Sequence, residues 1–490
     1  MIRSDTNAPE MERESSDTAS PLNSIKPEYA AALSEENNPP LNRRELHGAV
    51  WQLAWPSVLT MLLQTFNSLM DTFFVGHLPN GAEALAATGV GGGIQFLLIS
   101  VSMGVAVGAT ALVARFTGAQ DHPSAVRATG QALTLGLLLG AVFGLLTYAA
   151  RGSLIGWLLN ADKSPEAATL CVQFVSITLI ATIPLFLVNV AQSAFRGIGD
   201  TRTPLRITGV MIAIHVTLNA LLIYGRFGFP ALGVRGAGIA LTVSVFVGAV
   251  LFVYALRRST LGEAFTRESL TLNLEWAQRV LRIGIPAAIQ GLLRALSMMV
   301  FTGMLARAAE GASGVAALQI GLRAEALAFM PGFGYSVAAS ALVGQSLGAK
   351  DPERAERYAW AATGQASVVM AGMAVLFIVF ATPIARAFTG DPTAQRLGRD
   401  YLMINAPCEP FLGLGMALTG ALQGAGETMI PTITTLLTMW AIRLPIAYYL
   451  MFTRGLNARG AWISMCFSTV IYAVCIALWF RAGRWKRQKV

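Results

Sequence analysis

The chain has 490 residues, 54% of them hydrophobic and only 13% charged, with a mean hydropathy of +0.55. A water-soluble domain carries about 25% charged residues, which excludes an ordinary soluble globule, and the apolar runs lack the period-two alternation of an outer-membrane barrel. The net charge of +9 does not indicate nucleic acid, because the basic residues are scattered through loops and the terminal RWKRQK.

Residues 1–47 are rich in Asp, Glu, Ser, Asn and Pro and contain no early apolar core. They read as a disordered cytoplasmic tail and not as a signal peptide. Apolar runs of about 20 residues then recur to the C-terminus, long enough to cross a hydrocarbon layer of about 30 Å. Their spacing predicts about twelve helices, at 49–75, 84–113, 126–149, 166–195, 204–225, 235–257, 280–305, 315–343, 358–381, 400–422, 430–452 and 459–481. Residues 48–257 form a first lobe and 280–481 a second. A cytoplasmic linker at 258–279 joins them, and a basic cytoplasmic tail follows at 482–490.

An ionisable group in hydrocarbon costs roughly 3 kcal/mol on insertion scales, so each one calls for a reason. Apart from Glu166 at the first position of helix 4, Asp71 is the one acid inside helices 1–6, toward the outer end of helix 1. Gln64 and Asn67 precede it by seven and four residues, a spacing that puts all three on one helical face. A carboxylate there can load a proton, or coordinate Na⁺ while charged. The glycine-rich GVGGGIQ (Gly89–Gln95) lies inside helix 2 and reads as close packing. Asn189 and Gln192 in helix 4 either line the same cavity or join helices. His215 and Asn219 in helix 5 share a face at i, i+4, and a histidine there can join a proton relay.

The second lobe carries Arg294 in helix 7, Arg323 and Glu325 in helix 8, Glu409 in helix 10 and Arg443 in helix 11. Such charges predict ion pairs or a water-filled cavity. Glu409 lies between Pro407 and Pro410, which should open the helix locally, and it is a second candidate proton site. Cys171, Cys408, Cys466 and Cys475 sit in apolar runs without metal-ligand spacing and read as small buried hydrophobes. Trp51, Trp157, Trp360, Trp462 and Trp485 lie near the ends of runs, where interfacial rings are expected.

Lys and Arg set the orientation. The tails and even-numbered loops hold 23 of them and the opposite side 10, which places both termini in the cytoplasm. The chain also repeats itself. Pro56 begins PSVLTMLLQ and Pro286 begins PAAIQGLLR, an offset of 230 (286 − 56), which also carries GAQD (Gly118–Asp121) onto GAKD (Gly348–Asp351). AFRGIGDTRTP (Ala194–Pro204) matches ALQGAGETMIP (Ala421–Pro431) at 227, and VRGAGIA (Val234–Ala240) matches ARGAWIS (Ala458–Ser464) at 224. Units with an even number of helices repeat in parallel, about an axis along the membrane normal.

From about Gln52 to Arg481 the chain resembles the multidrug and toxic compound extrusion (MATE) transporters. The resemblance rests on FNSLMDTFFVG (Phe66–Gly76), AFRGIGDTRTP, PGFGYSVAASALVGQSLGAKDPERA (Pro331–Ala355) and ALQGAGETMIP. It implies a V-shaped pair of lobes that exports organic, often cationic or amphipathic, compounds against inward H⁺ or Na⁺, with Asp71 as the coupling residue. The chain departs from the family where relatives have Asn then Asn, or Asn then Asp, in helix 5. It departs again in GIPAAIQGLLR, where some branches keep a helix-7 Glu. These losses tilt the expectation toward H⁺.

A monomer in the bacterial inner membrane is expected, surrounded by lipid, with a small-molecule substrate and neither cofactor nor metal. No Walker loop GxxxxGK[ST] is present, so no built-in ATPase is expected. The major facilitator fold is set aside because its Asp-Arg-Arg-like loop is missing after helix 2. Arg294, Arg323 and Arg443 keep a lipid-linked saccharide flippase as an alternative. A membrane-embedded enzyme is the other alternative, but no histidine motif supports it.

Overall fold

The computed structural model describes residues 42–159 and 164–488; the calls on residues 1–41, 160–163 and 489–490 fall outside it. Among the described residues there are no strands, and twelve helical rods run back and forth. In chain order they are α1 (Arg43–Gly76), α2 (Gly81–Gly118), α3 (His122–Leu159), α4 (Pro165–Gly197), α5 (Arg202–Leu222) and α6 (Val234–Arg257). The second lobe follows with α7 (Leu274–Ala306), α8 (Gly311–Gly348) and α9 (Pro352–Phe388). It ends with α10 (Pro392–Asn405 and Glu409–Gly424), α11 (Met429–Thr453) and α12 (Asn457–Arg481).

The helices outrun the predicted spans because their polar ends carry no hydropathy signal. The first five residues of α1 fall inside the predicted tail, yet Asn42 opens that helix, its amide donating to the Glu45 carboxylate (3.1 Å). The predicted linker is structured too. Residues Gly262–Phe265 and Arg267–Leu270 form short helical turns, and Asn273 caps α7 through the amides of Glu275 and Trp276. Gln131 of α3 is fully buried and holds this segment to the first lobe. Its Nε2 donates to the carbonyls of Ser269 (2.8 Å) and Thr271 (2.6 Å), and its Oε1 accepts from the Asn273 amide (2.8 Å). The basic tail is docked as well. Trp485 is fully buried against Phe480, and Lys486 pairs with Glu356 at 2.6 Å.

Both lobes break their fourth helix at the same level. A 3₁₀ turn interrupts α4 at Leu179–Ala181 and α10 at Ala406–Cys408, offset by 227 (406 − 179), the offset of the neighbouring sequence motif. Left-handed Gly199 (φ 85°) likewise matches Gly426 (φ 85°), and Gln120 (φ 56°) matches Lys350 (φ 60°). The two halves therefore repeat conformation as well as sequence.

The lobes meet along α1, α2, α7 and α8 at the end of the bundle where α1 begins and α12 ends. A Cβ on Gly118 would run into the carbonyl oxygen of Gln345, and one on Gly348 into that of Arg115. These two contacts exchange under the offset of 230, so the pseudo-twofold axis passes between them. Both glycines end their helices on the same side, so the repeat is parallel. Gly104 against Gly284, and Gly334 against Ala54, form a second reciprocal pair. Toward the other end contact is lost. In α1 the buried residues run from Val50 to Thr60 and resume only at Val75.

Several readings need correction here. Gly89, Gly92 and Gly93 have open space around them, and only Gly91 of that run is tightly packed, against Phe174. Cys408 and Cys466 are paired as a disulfide, with Cα atoms 5.6 Å apart, and Cys475 is exposed; Cys171 alone is a free buried thiol. Trp462 is not interfacial but fully buried, edge-on to Tyr401.

Candidate functional site

Two polar clusters lie inside the bundle, one in each lobe. The first forms where α1 crosses α5. Asn67 and Asp71 are one helical turn apart on α1, and His215 and Asn219 are one turn apart on α5, so the two faces meet in register. Asn219 Nδ2 donates to Asp71 Oδ1 (2.6 Å), and His215 Nδ1 lies 2.9 Å from Asn67 Oδ1. An amide oxygen only accepts, so Nδ1 carries the proton and Nε2 of the neutral ring is left as an acceptor. That Nε2 faces Asn219 Nδ2 (3.4 Å) and Asp71 Oδ1 (3.5 Å). His215 and Asn219 are buried, whereas the Asp71 side chain keeps 38% of its surface open. Among the described residues no Lys or Arg lies within 4.0 Å of Asp71, so its charge is met by hydrogen bonds alone.

The other first-lobe candidates lie apart from this cluster. Gln64 is exposed and makes no hydrogen bond among the described residues. Asn189 donates to Ser102 Oγ (2.8 Å), joining α4 to α2, and Gln192 accepts from Arg196 (3.3 Å) near the tail end. Asn189 therefore joins two helices, whereas the Gln192–Arg196 bond stays within α4.

The second cluster lines a 390 Å³ cavity walled by α7, α8, α10, α11 and α12. Arg294, Glu325, Glu409 and Arg443 all reach it. Arg323 does not: it is exposed, about 200° around the helix from Glu325, at two residues' separation. Ion pairing was one expectation for these charges. Among the described residues no carboxylate of the cluster comes within 4.0 Å of a guanidinium, so the structure supplies the cavity and not the pairs. Arg443 Nε donates instead to Ser468 Oγ (2.7 Å). Glu409 is 2% exposed, and its Oε2 has no hydrogen-bond partner. The interrupted helix that Pro407 and Pro410 predicted is present immediately before it.

The sequence reading missed the polar tie beneath this cavity. Gln290 Nε2 donates to Thr435 Oγ1 (3.1 Å), Tyr472 Oη (3.3 Å) and the Pro431 carbonyl (3.3 Å). Tyr472 in turn bonds Thr419 (2.7 Å). Its signal was a lone glutamine one turn after Pro286, on the face that the proline turns toward α11. It also missed the winding of α11, which is π-helical over Leu437–Arg443. Pro445 lacks the N–H that would bond the carbonyl of Ala441, a sufficient local cause for that ladder to slip.

Comparison with known proteins agrees over most of the length. The MatE family model matches residues 56–221 and 286–449, one stretch in each lobe. A probable multidrug resistance protein NorM of Thermotoga maritima is 29% identical over 451 residues, 91% of this chain and 94% of that protein. The Rhodopseudomonas palustris protein of the same description is 30% identical, covering 89% of this chain and 91% of its own. Among solved structures, a MATE crystal structure in complex with MaL6 superposes with a TM-score of 0.81 at 25% identity, covering 89% and 96% of the two chains. A MOP superfamily transporter from Pyrococcus furiosus shares the fold, with a TM-score of 0.83 at 23% identity, covering 92% and 100%.

Proposed function

Because this chain belongs to the MatE family, we propose that it is a secondary active efflux transporter that exchanges inward-moving protons for organic cationic or amphipathic compounds. The observation that carries this reading is the half-open Asp71 carboxylate, held by Asn219 beside His215, with no Lys or Arg within 4.0 Å among the described residues. A proton and an organic cation compete for such a group: either one neutralises it, and both together leave a net charge. Loading a proton on Asp71 turns Oδ1 or Oδ2 from acceptor to donor, and His215 Nε2 is the acceptor within reach. Asp71 and His215 thus form a two-station relay, and the cation leaves when the proton arrives. Na⁺ is the less suited ion, since the Asn67 oxygen is engaged by His215 and Asp71 is the one anionic ligand present. The NorM relatives are named as probable multidrug resistance proteins, which supports export of drug-like compounds.

The tail end, where the lobes touch, is assigned to the cytoplasm by its excess of Lys and Arg. With that orientation the divergent end faces outward, and Asp71 is reached from there. The flippase alternative is dropped, because the family matched is MatE and Arg323 lies off the cavity.

The test is transport in proteoliposomes under separately imposed pH and Na⁺ gradients. Asp71→Asn should bind a fluorescent organic cation more weakly and lose pH-driven export to the level of empty vesicles. Asp71→Glu should keep part of the rate. If Asp71→Asn exports at the wild-type rate while Glu409→Gln abolishes transport, coupling belongs to the second lobe. Orientation is tested by thiol labelling of intact cells: a cysteine at Gly390 should react with an impermeant reagent, and one at Arg202 only after permeabilisation.

A further inference from the structure

The second-lobe cavity holds two guanidiniums, which the Asp71 cluster lacks, beside two carboxyl groups. Arg443 is only 8% exposed, and its Nε is taken by Ser468. Among the described residues its terminal nitrogens carry no hydrogen bond, and no carboxylate lies within 4.0 Å. A guanidinium keeps its charge in any protein setting and presents a planar fork that matches a compact oxyanion. Arg294 reaches the same cavity from α7. The π-helical stretch that ends at Arg443 is itself an irregularity of the kind found at functional sites, and α5 of the first lobe has no counterpart to it. The rest of the wall is soft and apolar: Met298, Met416, Met439 and Met465 adapt to irregular shapes, beside Phe329 and Phe333. A volume of 390 Å³ lies in the range of small-molecule sites.

We propose that this cavity is a separate ligand site for an amphipathic organic anion, whose carboxylate or sulfonate is taken by Arg443 and Arg294 and whose apolar body lies among the methionines. Arg443 and Arg294 both serve one anionic head, so the ligand is a mono-anion. The site does not depend on the coupling role of Asp71.

Equilibrium binding of dansylglycine to the full-length protein in lipid nanodiscs, with empty nanodiscs subtracted, tests this. Its uncharged counterpart dansylglycinamide is the control for the apolar body. Dansylglycine should bind at least about tenfold tighter than the amide, the order of one charge-assisted bidentate contact. Arg443→Gln should remove that margin, Arg443→Lys should restore part of it, and Asp71→Asn should leave it intact. Ethidium binding should be unchanged in Arg443→Gln. Equal affinity for the two dansyl compounds in the wild type overturns the proposal, as does a margin that survives Arg443→Gln. So does a parallel loss of ethidium and dansylglycine binding. Should Arg443→Gln fail to fold, Arg294→Gln at the exposed rim carries the test: a several-fold smaller margin supports the site, and an unchanged one overturns it.

Discussion

The two lobes share a backbone and differ in where they keep their charge. Under the repeat offset Gln64, Asn67 and Asp71 correspond to Arg294, Ser297 and Phe301, so a phenyl ring stands where the first lobe has its carboxylate. Phe301 is buried, and Ser297 donates to the Met439 carbonyl (3.3 Å). Conversely, Glu325 and Glu409 correspond to Gln95 and Thr182, neither of them charged. A duplicated scaffold has thus kept its close contacts and its helix breaks, while its ionisable groups occupy different positions. Packing at the axis constrains both copies together, because each touches the other through the same positions. The interiors face no such constraint.

The largest effect should appear where the lobes are equivalent. Gly118→Val and Gly348→Val each drive a side chain into backbone of the other lobe, which cannot retreat without parting the helices. Both variants should lose the monodisperse peak in size-exclusion chromatography, and to the same degree. A tolerated Gly348→Val beside a lethal Gly118→Val would break the symmetry argument. A smaller effect should appear where the lobes differ. Gln131 is matched in the second lobe by Ala361, which has no linker to hold. Gln131→Ala removes three hydrogen bonds and leaves buried backbone groups unsatisfied, a cost of about 1–3 kcal/mol that thermal denaturation would read. An unchanged melting temperature would mean that the linker is held by its apolar residues alone.

The smallest effect lies outside the membrane-spanning segments. Ser313 donates to Asp391 Oδ2 (2.7 Å), and this bond, helped by the Thr393 and Ala394 amides, holds the Asp391 carboxyl below the usual carboxylate range. Its folded-state value is depressed, so the contribution is present above the ordinary aspartate value, near 3.9, and is lost as pH falls through the lower one. The first lobe closes the matching corner differently, with Asn80 donating to Glu166 (3.2 Å). Asp391→Asn should flatten the acid limb of a stability–pH profile slightly.

Most of the architecture was legible because membrane-spanning segments announce themselves by length and composition. The parallel repeat was legible because its landmarks, from Pro56 to Ala240, return in order. The Asp71 cluster was half legible. Each i, i+4 pair can be read along one helix, but the meeting of Asn67 with His215 across 148 positions depends on how α1 and α5 pack. What failed was non-local or concerned facing. Cys408 and Cys466 are 58 residues apart on different helices, so nothing local announces their pairing. Arg323 and Glu325 look like neighbours in sequence yet sit on opposite sides of one helix. Gln64 shares a predicted face with Asp71, but the lobes have diverged at its level and leave it uncovered.

The docking of the inter-lobe segment by Gln131 decides where this gene can be cut. A break after residue 258, at the boundary that hydropathy suggests, would leave the Gln131 amide buried with neither of its carbonyl acceptors nor its donor. A break between Asn273 and Leu274 keeps that amide satisfied in the first fragment, but takes Asn273 away from the opening turn of α7. Two fragments that meet at residue 258, with the short helical turns on the second, must therefore find each other before either is complete. Co-expression of such halves would report on assembly as much as on folding.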